Sequence, residues 1–234
     1  MHGGKKEGRQ GIVIPDTCMD VIFDINYSRN AISDVFCALD DTSQMSVGES
    51  FPDTVATFAI RFYAWTACVF SDIHFAGTMN GRLSCDMVIS DIKKALAPLL
   101  FDIHGMEGKI QAAEKVLLER MEKNKADPNV LNAVYRMLET RGRERITEIE
   151  GYTGVSSRGL ERAFQRQMGI APKAFSSLVR YQLLWQEMVS SPHFDVIDAV
   201  EKYGYTDQAH LLHDFKRHHL MTPAQALEFA KTYR

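Results

Sequence analysis

Two copies of one apolar spacing, about fifty residues apart, constrain this chain more than any other feature. The first runs Ile146, Ile149, Gly154, Leu160, Arg162, Phe164; the second runs Val196, Ala199, Gly204, Leu211, His213, Phe215. In each, a short helix with apolar residues at i and i+3 reaches a Gly five positions later. A polar turn follows, Ser156-Ser157 or Thr206-Asp207, and then a second helix carrying Leu-x-x-x-Phe. Gly supplies a positive-φ corner, Ser or Thr caps the second helix, and Leu and Phe pin it to the first. The tandem predicts an all-α domain with two helix-turn-helix units. A single helix over Pro172–Ser190 joins them, with Pro in its first turn and Phe175, Leu178, Val179, Tyr181, Leu184, Trp185 and Met188 apolar.

Ahead of this domain the pattern changes. Segments 12–14, 19–25, 35–39 and 54–62 are β-branched and aromatic, and Pro15, Asn26, residues 40–43 and Pro52 punctuate them, so they read as short strands. Residues 64–72 and 91–100 read as helices. Residues 106–125 carry an apolar stripe, Ile110, Ala113, Leu117, Met121, and residues 129–138 open the helical domain. The expected fold is therefore α+β. A β-rich, reduced barrel-like sensor domain spans 1–104 and includes a polar leader. A connecting helix and linker span 105–127, and an all-α domain spans 128–234.

With 234 residues the chain is long enough for two domains, and no run of about 18 apolar residues predicts a membrane span. The leader has no apolar stretch, so it does not read as a signal peptide. Residues 128–234 hold 14 Lys+Arg against 12 Asp+Glu, net +2, whereas residues 1–127 hold 13 against 18, net −5. A positive half joined to a negative one fits a DNA reader attached to a domain of another kind. Cys18, Cys37, Cys68 and Cys85 form no C-x-x-C pair and read as core thiols of a reducing cytoplasm.

The segments 154–164, 169–175 and 204–216, followed by Thr222-Pro223, resemble the DNA-binding domain of the AraC/XylS family of bacterial transcription regulators. Residues 128–227 carry the resemblance. Pro15, Cys18, Asp20 and Phe23, with the strand 59–62, resemble the β-rich sensor domain of one subgroup. The first strands of such a domain are not in the sequence, so a partly open barrel is expected. At four positions the chain departs from the family pattern. Glu150 and Val200 stand where a small residue is usual, Gly159 lies inside the first recognition helix, and His213 replaces an Arg.

The resemblance implies a cytoplasmic, sequence-specific transcription regulator whose partners are double-stranded DNA and RNA polymerase. It leaves open a small-molecule effector and a homodimer. Recognition helices present side chains from their first turns to base edges. Those expected at bases are Arg158, Glu161 and Arg162 in the first unit. In the second they are Gln208, Ala209, His210, Leu212 and His213. Arg suits guanine, Glu cytosine and Gln adenine. Ser156, Ser157, Arg166, Thr206, Lys216 and Arg217 are expected at phosphates. The plain alternative for each charged residue is a solvated helix surface. His213 would carry charge only at mildly acidic pH, so acid is expected to tighten binding, with His210, His218 and His219 contributing wherever they face DNA. Residues 128–234 are expected to fold and bind DNA unaided.

A rival reading makes the N-terminal domain a small-ligand or metal-dependent β-barrel enzyme or binder, with a degenerate DNA-binding module. It finds only His74 and His104 outside the leader, no His-x-His pair, and no cysteine with a His neighbour. No catalytic residue, cofactor or metal ligand is expected.

Overall fold

The computed structural model describes residues 10–47, 55–121, 126–191 and 194–232. The leader, the first residue of the strand expected from residue 54, and residues 124–125 of the expected boundary lie outside the described residues. The N-terminal strands are β1 (Gln10–Val13), β2 (Cys18–Asn26), β3 (Ala31–Cys37), β4 (Gln44–Val47), β5 (Val55–Tyr63) and β6 (Arg82–Leu83). Between and after them lie α1 (Ala64–Ala67), α2 (Cys85–Val88), α3 (Ser90–Asp102) and α4 (Met106–Met121). The helical half comprises α5 (Pro128–Glu139), α6 (Ile146–Thr153), α7 (Ser157–Met168), α8 (Pro172–Ser190), α9 (Val196–Tyr203), α10 (Gln208–His219) and α11 (Pro223–Lys231).

A four-stranded antiparallel sheet has the order β5-β2-β3-β6, and β1 pairs with β4 as a separate ribbon. In β2 the two-residue period of a strand puts Met19, Val21, Phe23 and Ile25 on the buried face, where Ile92, Leu96 and Leu100 of α3 belong to the same core. Cys18, Asp20, Ile22 and Asp24 take the other, half-buried face. There Arg61 of β5 pairs with Asp20 and Asp16, both at 2.8 Å, and Arg82 of β6 pairs with Asp40 at 2.8 Å.

Two expectations are corrected. The run 64–72 is helical only to Ala67. Ser71 then exchanges hydrogen bonds with Ile73, its hydroxyl donating to the carbonyl at 2.9 Å and accepting from the N–H at 3.0 Å. Such local bonding competes with the helical ladder. The stripe of α4 is rotated: Ala113 is buried, but Ile110 and Met121 are exposed, and Lys109 faces inward. The Lys109 ammonium donates to Tyr27 Oη at 3.0 Å and to the carbonyl of Leu100, one of the last carbonyls of α3. A cation placed there answers an acceptor that the helix itself leaves unpaired.

One apolar core runs through both halves. Phe75 stacks on Phe36 with centroids 5.6 Å apart, and its N–H donates to the Arg166 carbonyl at the end of α7 at 2.9 Å. Trp65 meets Phe175 edge-on at 6.1 Å, and its carbonyl accepts from Gln167 Nε2 at 2.8 Å. The β3–β4 loop binds the end of α10: Ser43 N–H donates to the His218 carbonyl at 2.7 Å, and His218 Nδ1 lies 2.6 Å from the Asp41 carbonyl. A fragment of residues 128–234 keeps Leu160, Phe164, Leu211 and Phe215 but loses all these contacts. It is expected to unfold cooperatively at a lower temperature than the full chain. Equal melting temperatures by circular dichroism would mean that the shared core contributes nothing.

Candidate nucleic-acid interface

The two units are built alike. Helix α6 ends at Gly154 with φ +69°, and α9 ends at Gly204 with φ +68°, the left-handed corner that lets the chain turn into the next helix. Ser156 caps α7 by accepting from Gly159 N–H at 3.3 Å. In the second unit the cap expected from Thr206 is supplied by Asp207, which accepts from His210 N–H at 2.7 Å. An ionised carboxylate is favoured there because the helix N-terminus carries partial positive charge. The Thr206 hydroxyl lies instead 3.3 Å from His210 Nδ1.

Leu160, Phe164, Leu211 and Phe215 are fully buried. Phe164 meets Phe175 of α8 edge-on at 6.0 Å, and Phe215 packs against Tyr181 and Trp185 at 5.5 and 6.0 Å. The joining helix thus pins both second helices through two ring clusters, Phe175 on Phe164 near its start and Tyr181 and Trp185 on Phe215 further along. The opposite faces of α7 and α10 are free.

Arg158, Glu161, Arg162 and Arg166 are exposed on α7, and no hydrogen bond or ion pair engages their side chains among the described residues. On α10, Gln208, Ala209, His210, Leu212, His213, Lys216 and Arg217 are exposed. His210 is partly committed, edge-on to Tyr205 at 5.2 Å and bonded to the Thr206 N–H at 3.3 Å. Ser157 is exposed beside its cap. Meanwhile Glu139 and Glu144 are tied to Arg136, and Glu187 to Lys202 at 2.7 Å. Cationic side chains on α7 and α10 therefore lack local carboxylate partners, whereas these acids elsewhere are neutralised. That arrangement leaves a positive face for an anion.

His218 and His219 are not on that face. Their relative exposures are 0% and 1%, because the last turn of α10 is wedged between α8 and the β3–β4 loop. The His218 ring spans Asp41 and Ser177, whose hydroxyl lies 3.1 Å from Nε2 and donates to Asp214 Oδ1 at 2.8 Å. His219 Nδ1 lies 2.7 Å from Tyr181 Oη, and its ring stacks on Phe215. Burial lowers the pKa of both, His219 to about 4. Nothing in the spacing of these histidines marks them as core. The only sequence hint is that they follow Phe215 by three and four positions, an inward interval on a helix. Lys173 and Arg180 of α8, missed from sequence, border the same face beside His213 and Arg217.

In the N-terminal half, burial raises the thiol pKa of Cys18 and Cys68 to about 11 and of Cys85 to about 12, and raises that of Cys37. None is a ready thiolate near neutrality. Among the described residues no three His, Cys, Asp or Glu side chains converge to hold a metal ion. No helix among them is long and apolar enough to cross a membrane.

Residues 151–228 match a family model described as a helix-turn-helix domain. No curated protein matches the chain. A probable AraC family transcriptional regulator from Rhodopseudomonas palustris CGA009 shares 27% identity over 44% of this chain and 98% of its own, with a TM-score of 0.39. ToxT from Vibrio cholerae is 9% identical over 95% of this chain and 98% of its own, with a TM-score of 0.48. Unsaturated fatty acid bound ToxT is 10% identical over 97% of both chains, with a TM-score of 0.47.

Proposed function

We propose that this chain, a member of the AraC/XylS family of helix-turn-helix transcription regulators, reads an asymmetric DNA site through α7 and α10 in successive major grooves. One observation carries this reading: two exposed helix faces, unlike in sequence, project from one rigid joining helix. That helix has 19 residues, so it spans about 28 Å at about 1.5 Å per residue. This approaches the roughly 34 Å of one duplex turn. Because Arg158, Glu161 and Arg162 answer to Gln208, Ala209, His210, Leu212 and His213, the two half-sites differ. A single chain then needs no palindrome, although a homodimer on paired sites remains compatible.

In this reading α7 supplies most of the specificity, and Ser156, Ser157, Arg166, Thr206, Lys216 and Arg217 hold phosphates. Residues 128–234 are the reading head, 105–127 the connection, and 1–104 the domain that senses a ligand or dimerises. A cavity of about 340 Å³ on the half-buried face of β2 and β3, lined by Ile14, Ile22 and Val35 with the Arg61–Asp20 and Arg82–Asp40 pairs at its polar edge, suits a small ligand of mixed polarity. Sensing works as a population shift. A ligand that favours one placement of the β3–β4 loop or of Phe75 changes how α10 and α7 are held, and so changes promoter occupancy or contact with RNA polymerase. The role is non-enzymatic, in the cytoplasm.

The test is selection of bound duplexes from a random-sequence library by the full chain and by the Arg158→Ala, Arg162→Ala double variant. A base-reading Arg contributes about 1–3 kcal/mol of discrimination, so the variant is expected to lose preference at positions in one half-site only. Recovery of the same motif by both proteins sinks the assignment of α7.

A further inference from the structure

A cavity of about 490 Å³ lies between the first half of α8 and the exposed side of α10. Lys173, Arg180, His213 and Arg217 line it, with Asp214 as its only carboxylate. We propose that this cavity seats a DNA backbone phosphate from the stretch between the two half-sites, with Lys173 and Arg217 as its principal cations. The proposal rests on the DNA-binding reading above and adds a contact made by the joining helix itself.

Position favours this occupant. Lys173 is the second residue of α8, and α7 ends at Met168, so the cavity lies where the first unit hands over to the joining helix. His213, on its other wall, belongs to the exposed face of α10. The cavity thus adjoins α10 at the start of the helix that leaves the first unit. A duplex read in two successive major grooves must there carry its backbone across the intervening minor groove.

Charge favours it too. Lys173, His213 and Arg217 are exposed, and none has a hydrogen bond or ion pair among the described residues. Asp214 does not cancel them, because its charge is turned inward. It is buried, accepts from Ser177 Oγ at 2.8 Å and Tyr205 Oη at 3.2 Å, and lies 3.7 Å from Arg180. Arg180 is fixed in turn, its guanidinium 4.6 Å from the Tyr205 ring centroid, and its buried Nε has no hydrogen-bond partner. The wall therefore holds one anchored cation, Arg180, and presents the exposed cations Lys173 and Arg217 at the rim. A phosphodiester, singly charged and rich in acceptors, matches that set.

The experiment uses the full chain and a duplex that the wild type selects from a random library. Each central phosphate is replaced in turn by an uncharged methylphosphonate. Wild type is expected to lose about threefold to tenfold in affinity at one or two linkages between the half-sites. Lys173→Gln and Arg217→Gln are expected to lose a similar amount on the unmodified duplex and little more at those linkages. The salt slope, log K against log salt, is expected to fall by about 0.9 for each lost contact. If the losses multiply at every linkage, or if both variants bind like wild type with an unchanged slope, the seat is overturned while DNA reading stands. If wild type selects no duplex at all, the DNA-binding reading fails and the seat fails with it.

Discussion

Gly169→Ala is expected to lower the stability of the whole protein by about 2–5 kcal/mol. Gly169 closes α7 with φ +76°, where an L side chain costs about 1–2 kcal/mol. A Cβ there would also stand 2.4 Å from the Phe75 carbonyl oxygen and 3.1 Å from Thr78 Oγ1. The first neighbour is backbone, held by the bond from Phe75 N–H to the Arg166 carbonyl, so it cannot swing aside. Relief requires the segment around Phe75 to separate from the end of α7, and such overpacking costs about 1–3 kcal/mol. Gly154→Ala is the internal control. Gly154 has nearly the same φ, but a Cβ there meets nothing within 4 Å, so only the conformational cost applies. Denaturant unfolding of the three proteins measures the difference. Equal losses for Gly169→Ala and Gly154→Ala would show that this approach between the halves carries no energy.

Acidification is expected to destabilise the protein through His219, by about 2 kcal/mol near about pH 5 and about 3 kcal/mol below about pH 4. An unfolded histidine takes up its proton near about pH 6.5. In the folded chain burial pushes His219 down to about 4. Between those values the unfolded chain binds a proton that the folded chain refuses. The stabilising contribution is therefore complete above about pH 6.5 and is lost as pH falls toward about 4. Tyr181, whose pKa burial raises, stays protonated and lies 2.7 Å from Nδ1, a partner that the neutral ring can satisfy. His218 acts in the same direction, since burial lowers its pKa against the opposing pull of the Asp41 carbonyl and Asp214. His219→Gln keeps an acceptor for Tyr181 without the titration. It is expected to flatten the dependence of the unfolding midpoint on pH between about 7.5 and 5. A wild-type midpoint that does not move over this range would remove the argument. His218 and His219, buried at the end of α10, therefore take up protons at a cost in stability and not in contact with DNA.

The features that the sequence determines by itself are those whose cause lies within a few residues. The tandem units are legible because Gly154 and Gly204 end helices in the left-handed region and because Leu160, Phe164, Leu211 and Phe215 repeat at helical spacing. Helix α8 runs from Pro172 to Ser190 as its pattern predicts, and β2 and β5 fall on the β-branched and aromatic segments 19–25 and 54–62. The exposed positions of Arg158, Arg162 and Gln208 follow from the same periods, since fixing the inner face of a helix fixes the outer one. What only the tertiary structure decides depends on partners far along the chain. β6 spans two residues and exists because Phe36 and Cys37 pair with it, and β4 exists through β1. Lys109 turns inward in place of Ile110 because the end of α3 presents it a carbonyl. Whether His218 and His219 face DNA or the interior is decided by Asp41, Ser177 and Tyr181, 177, 41 and 38 positions away, which close over them. Local periodicity can say which face of a helix is apolar. Whether a polar group on its border is buried depends on whether a distant element brings it a hydrogen-bond partner, and that is settled only when the chain has folded.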